Sequence, residues 1–211
     1  MNTIIFDFDG TIADSFETIL AVSHRLAQEF GLKPITSEDV KEFQNLSPRE
    51  IIRRANIPIY KLPYFLRRLQ VEMNHDISQI KPFPGIREAL LQLHATGYAL
   101  GIVTSNSHDN VSFFIKQHHL IELFQFVRTG VTLFGKARVI NQLLKEYPVP
   151  RESIIYVGDE TRDVEAARKT QIKVIAVGWG FNSGQALAEV QPDLLVQKPE
   201  ELVRAIAQLA G

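Results

Sequence analysis

The residues best suited to chemistry open the chain, in Thr3-Ile4-Ile5-Phe6-Asp7-Phe8-Asp9-Gly10-Thr11. An apolar, β-prone run of the kind that fills a buried parallel strand ends in two carboxylates one residue apart. Gly10 follows, where the chain can turn. Asp7 and Asp9 would share one face if the strand continued. Two like charges that close are costly unless a cation or a shared proton relieves them. A lone D-x-D pair at a strand end is ordinarily solvated. The fixed run of Asp7, Asp9, Gly10 and Thr11 is rarer and points to a site.

Three further clusters carry suitable groups. Thr104-Ser105-Asn106-Ser107 ends a second apolar run, and Thr104 and Asn106, with free backbone amides at a helix start, can bind phosphate oxygens. Gly158-Asp159-Glu160-Thr161-Arg162-Asp163 ends another. Asp7, Asp159 and Asp163 supply hard oxygen ligands, and a backbone carbonyl near Asp9 can add one. That set suits Mg²⁺, which binds through a few carboxylates together with phosphate. Lys136, in Gly135-Lys136, lacks the glycine-rich approach of a nucleotide P-loop. In this company it is a candidate to hold charge on both a carboxylate and a phosphate. Taken singly, each cluster also reads as a helix cap, an Asp-rich turn or a solvated lysine.

The elements that must position these groups follow from periodicity. Ile19, Val22, Leu26 and Phe30 define one helical face, which Gly31 ends. Helices are expected from Thr36, from Ser47-Pro48, and from about Tyr60 to Asp76. Residues 15–80 therefore read as helices only. Pro82, Pro84 and Gly85 mark a boundary. Strands are then expected at 98–104, 124–127, 153–157, 172–177 and 194–196, with helices between them. The expected fold class is α/β: a Rossmann-like doubly wound parallel sheet core with an inserted α-helical segment. The core takes residues 1–14 and 81–211, and the insertion takes 15–80. In such sheets ligands bind beyond the C-terminal strand ends, where every cluster above lies.

The bulk numbers agree with a globular chain. It has 211 residues, 45% hydrophobic and 22% charged, with a formal net charge of −1. No global pull towards nucleic acid or membrane is expected. Cysteine is absent, which excludes disulfides, cysteine-ligated zinc and thiol catalysis. The first strand begins within three residues, so no signal peptide is expected, and the cytoplasm is the default location. His118-His119 reads as the end of a surface helix. Trp179 reads as packing a loop that borders the site.

In this order, "DFDGT" at 7–11, "IVTSN" at 102–106, Lys136 and "GDETRD" at 158–163 resemble the four motifs of the haloacid dehalogenase-like superfamily. The nearest likeness is to its phosphatases with a helical cap inserted after the first motif, and within them to the phosphoglycolate phosphatase-like branch. The resemblance implies that Asp7 attacks phosphorus and forms an aspartyl-phosphate. Asp9 protonates the leaving alcohol, then activates water. Gly10, Thr11, Thr104, Ser105 and Asn106 attend the phosphoryl group, and Lys136 stabilises Asp7. Asp7, Asp9, Asp159 and Asp163 serve Mg²⁺, and Ser47 and Arg49 of the cap are candidates to meet the leaving group. The implied partner is a small phosphorylated metabolite, acted on by a monomer or homodimer. Two alternatives stay open on the same residues: a sugar phosphomutase, and a non-catalytic binding or regulatory module that keeps the fold.

Overall fold

The computed structural model describes residues 2–58, 60–130, 135–147 and 149–211. The strands are β1 (Thr3–Phe6), β2 (Ala13–Asp14), β3 (Lys81–Pro82), β4 (Ala99–Val103), β5 (Phe124–Arg128), β6 (Ile154–Gly158), β7 (Lys173–Val177) and β8 (Leu194–Val196). The helices are α1 (Phe16–Glu29), α2 (Ser37–Phe43), α3 (Pro48–Arg54), α4 (Leu62–Asp76), α5 (Ile86–Ala95), α6 (His108–Gln117), α7 (Lys136–Glu146), α8 (Thr161–Thr170), α9 (Gly184–Glu189) and α10 (Leu202–Ala210).

Apolar runs with both faces covered build the main sheet. Its order is β5-β4-β1-β6-β7-β8, and every pairing in it is parallel. Strand alternation sends side chains to two separate cores. Ile4, Phe6, Ile102, Ile155 and Val157 pack on one side, with Leu90, Val111 and Ile206. Ile5, Val103, Ile154 and Tyr156 pack on the other, with Ile140, Val164 and Leu187. The strand order reverses at β1, the position where open α/β sheets form a ligand crevice.

Between Asp14 and Lys81, every regular element among the described residues is helical. Local chemistry explains the starts. Thr36 and Asp39 form a reciprocal cap on α2, and Ser47 and Glu50 form one on α3, with Pro48 in its first turn. α4 begins at Leu62, two residues later than expected. The helical segment leaves and rejoins the core through a short antiparallel ribbon, Ala13 opposite Pro82 and Asp14 opposite Lys81. Sequence patterns gave no sign of this ribbon, because two residues are too few for a period. His118 is also less exposed than a surface helix end implies. Its ring packs on Phe114 at 4.5 Å, and its Nε2 lies 3.1 Å from the Ile80 carbonyl.

Gly101 of β4 lies under the Phe126 ring, and the register against β5 shifts beside it. A methyl added there would sit 2.1 Å from a ring carbon. Gly101→Ala should therefore lower stability by roughly 1–3 kcal/mol through overpacking. Urea denaturation of the single variant and of Gly101→Ala with Phe126→Leu checks this. The smaller side chain should restore part of the loss.

Candidate active site

β1 stops at Phe6, so the alternation does not carry on to Asp9. Asp7 still pairs its amide with the Val157 carbonyl of β6 (2.8 Å). The chain then folds into a tight turn in which the Phe8 carbonyl accepts from the amides of Thr11, Ile12 and Ala13 at 3.3, 2.9 and 3.0 Å. The Phe8 ring anchors this turn, edge-on to Phe114 at 5.0 Å. Gly10 takes φ +74°, and a Cβ there would lie 2.1 Å from the Asp159 carboxylate, so only glycine fits. As a result the two aspartates face different partners.

Asp7 faces Lys136. The lysine extends from the start of α7 and contacts both Asp7 Oδ2 and Asp163 Oδ1, with all three side chains almost wholly buried. Asp163 sits in the first turn of α8, where its other oxygen accepts from the Glu160 amide (3.1 Å). Burial pushes the Asp7 carboxyl up to about 7; Lys136 opposes the rise and Asp163 adds to it. Burial also works against the Lys136 charge, yet Asp163 and Asp7 outweigh it and hold the ammonium firmly protonated. Asp159 is fully buried, accepting from Thr11 Oγ1 (2.7 Å) and the Phe181 amide (2.8 Å). Its carboxyl is raised well above the usual range, first by burial and then by Glu160, Asp7 and Asp163.

Asp9 has other partners, on the segments that lead into α1 and α6. It accepts from Ser15 Oγ (2.9 Å) and from Asn106 Nδ2 (2.9 and 3.2 Å to its two oxygens). Burial raises its carboxyl, against the pull of those two hydrogen bonds. Asn106 is itself fixed: its Oδ1 accepts from Asn110 Nδ2 (2.8 Å) and from the Ser107 amide (2.7 Å). The Asn106 amide donates to Thr104 Oγ1 (3.0 Å). The expected phosphate-binding residue Asn106 is thus turned towards Thr104 and Asp9. Ser105 meets the helical segment instead, its carbonyl accepting from Gln70 Nε2 of α4 (2.7 Å).

Two of the expected metal ligands, Asp7 and Asp163, come together with Glu160. Asp7, Asp163 and Glu160 each offer an oxygen, and those three atoms lie within 4.8 Å of one another. Asp9 and Asp159 are not in that group. Glu160 was not singled out from the sequence, although it stands inside "GDETRD". Arg162 was missed too. It pairs with Glu160, and both side chains are mostly shielded from water. Carboxylates converging in a largely buried place, where burial and then Asp163 raise the Asp7 carboxyl, fit a hard divalent cation. Arg49 is exposed at the start of α3 and shares a notch of about 60 Å³ with Lys136, Arg162, Glu165 and Lys169.

The loop after β7 closes the back of the site. Trp179 Nε1 donates to the Thr11 carbonyl (3.1 Å), and its ring meets Phe83 edge-on at 6.4 Å. The indole therefore packs a loop that borders the site, which agrees with its sequence reading.

Comparison with known proteins bears on this arrangement. Residues 4–177 match the family described as haloacid dehalogenase-like hydrolase. A phosphoglycolate phosphatase from Synechococcus elongatus is 38% identical over 209 residues, covering 99% of each chain. The pyrophosphatase PpaX of Listeria innocua is 28% identical, over 98% of this chain and 96% of its own. A haloacid dehalogenase-like family hydrolase from Streptococcus pneumoniae superimposes with a TM-score of 0.79 at 23% identity, covering 97% of this chain and 98% of the other. Among the described residues no helix is long and apolar enough to cross a membrane. The chain belongs to the haloacid dehalogenase-like hydrolase family, and within it to the phosphatases.

Proposed function

We propose that this phosphatase hydrolyses a small phosphomonoester through an aspartyl-phosphate on Asp7, with Mg²⁺ as cofactor, in the cytoplasm. The observation that carries the reading is the buried Asp7–Lys136–Asp163 array with Asp9 held beside it by Ser15 and Asn106. Asp7 attacks phosphorus and the bond to the leaving oxygen breaks. Asp9 gives its proton to that oxygen. It then takes a proton from the water that attacks the aspartyl-phosphate, releasing inorganic phosphate and restoring Asp7. The raised Asp9 carboxyl supports this role, since a general acid must hold its proton near the working pH.

Lys136 keeps Asp7 oriented and offsets charge on the phosphoryl oxygens. A Thr104 hydroxyl that accepts from Asn106 keeps its own hydrogen for one of those oxygens. Asn106 and Ser15 orient Asp9. Asp7 and Asp163, with Glu160 or Asp159, would hold Mg²⁺. When bound, the ion supplies positive charge that offsets the carboxylates and the phosphoryl group. Residues 15–80 act as a cap, and Arg49 beside its notch meets an anionic part of the substrate. Phosphoglycolate is the first compound to test, given the phosphoglycolate phosphatase of Synechococcus elongatus among this chain's relatives.

The direct test is phosphate release from phosphoglycolate, p-nitrophenyl phosphate and a panel of sugar phosphates, with Mg²⁺ and with EDTA. Asp7→Asn should lose at least about 10³-fold in kcat, since it removes the nucleophile. EDTA should abolish wild-type turnover and Mg²⁺ should restore it. Undiminished turnover by Asp7→Asn would sink the mechanism, and undiminished turnover in EDTA would sink the metal requirement.

Linkage gives a second prediction. Asp7 is raised from 3.8 to about 7, so the metal-free native state binds more protons than the unfolded chain between those values. Its contribution is fully present below pH ~4 and is lost as pH rises through ~7. Melting temperatures in EDTA should therefore fall across that window more steeply for wild type than for Asp7→Asn. At pH 8, Mg²⁺ should raise the wild-type value.

Lys136→Met supplies a third. It leaves two buried carboxylates without their cation, at a cost of about 3–5 kcal/mol. Denaturant titration should show that loss near neutral pH and a smaller one at pH 5, where Asp7 takes a proton instead.

A further inference from the structure

Asn182, in the loop after β7, is buried to 4% exposure and uses its whole amide. Its Oδ1 accepts from the Thr161 amide at 2.8 Å. Its Nδ2 donates to the carbonyls of Gln44 (3.0 Å) and Leu46 (3.1 Å). Thr161 opens α8, whose first-turn amides have no partner inside the helix. Gln44 caps the end of α2, where carbonyls are left over in the same way. One side chain thus joins the N-terminus of the helix that carries Asp163 to the end of a helix in the 15–80 segment.

The neighbouring residues add to the link. The Ser183 amide donates to the Gln44 carbonyl (2.8 Å), and Ser183 Oγ contacts Asn45 Oδ1. On the core side the Phe181 amide donates to Asp159 (2.8 Å), and the Asn182 amide reaches the Asp159 carbonyl (3.3 Å). Residues 181–183 therefore grip Asp159 with one side and the turn between α2 and α3 with the other. In the gripped turn Gln44 and Leu46 are half-buried and Asn45 is exposed. On release the turn's carbonyls would bond to water, which replaces the hydrogen bonds lost.

We propose that Asn182 is the latch that fastens the α2–α3 turn to the catalytic edge, and that it sets how much of the enzyme stands closed over substrate. It is a positioning residue: its side chain bonds to Thr161, Gln44 and Leu46, none of which carries the reaction. The proposal rests on the phosphatase reading only for its kinetic consequence. A ligand that needs the closed form binds more weakly in proportion to the fraction closed.

Asn182→Asp is the discriminating variant. It keeps an acceptor for the Thr161 amide and turns oxygens, in place of N–H donors, towards Gln44 and Leu46. Hydrogen–deuterium exchange over residues 36–56 should rise, while β4 and β6 stay protected. KM for the best phosphoester should rise about tenfold with kcat held within about twofold, as a shift in closed population demands. Asn182→Ser, which offers only a short hydroxyl, serves where the carboxylate prevents folding, with the same expected readouts. Unchanged exchange over 36–56 in a folded variant would overturn the latch. So would a loss confined to kcat at constant KM. If wild type turns over no phosphoester, the phosphatase reading fails alone, because the exchange measurement decides the latch without activity.

Discussion

A lysine buried among carboxylates is the constraint around which this molecule is arranged. A charge taken out of water is tolerated only with partners close by, and Lys136 has two. Those partners come from separate parts of the chain, so both must be delivered accurately. β1 and β6 are neighbours with Phe6 opposite Val157, which brings Asp7 and Asp159 out at the same edge. α8 follows β6 directly and sets Asp163 in its first turn. The sheet order, the tight turn at 8–13 and the α7 start all serve that meeting.

The arrangement is not the most stable use of these residues. Asp7 and Asp159 are both held in places that disfavour their charged forms. A core built for stability alone would fill the space with apolar side chains. Buried carboxylates that repel one another instead store a demand for positive charge. That demand is what a phosphoryl-transfer site meets with a cation and a lysine.

Much of this was legible from residue order. The alternation of strand and helix signals gave the fold class, because parallel sheets are buried on both faces and write long apolar runs. Asp7, Lys136 and Asp163 were found from their places at strand and helix ends, although only three-dimensional packing shows the lysine joining both acids. Asp9 was legible as a residue and not as a direction: β1 ends one residue before Asp7, and the following turn sends the second carboxylate towards Ser15 and Asn106. Glu160 and Arg162 lay in plain view inside a motif, yet a charged pair in a turn has the same sequence signature whether solvated or shielded. Asn182 had no local signal at all. Its partners lie 21, 136 and 138 positions away, and no periodicity spans such distances.

The ribbon formed by β2 and β3 has a consequence for how the chain assembles. β1 and β4 are adjacent in the sheet, with Thr3 opposite Ala99, although the helical segment separates them in sequence. Closing so long a loop carries an entropic cost that grows with the logarithm of its length. Once Ala13 meets Pro82 and Asp14 meets Lys81, the short path between the two strands runs across the ribbon. The helices beyond that junction then drop out of the loop that the central strands must close. Residues added to or removed from the helical segment leave the length of that path unchanged, and the length-dependent cost falls on closing the ribbon itself.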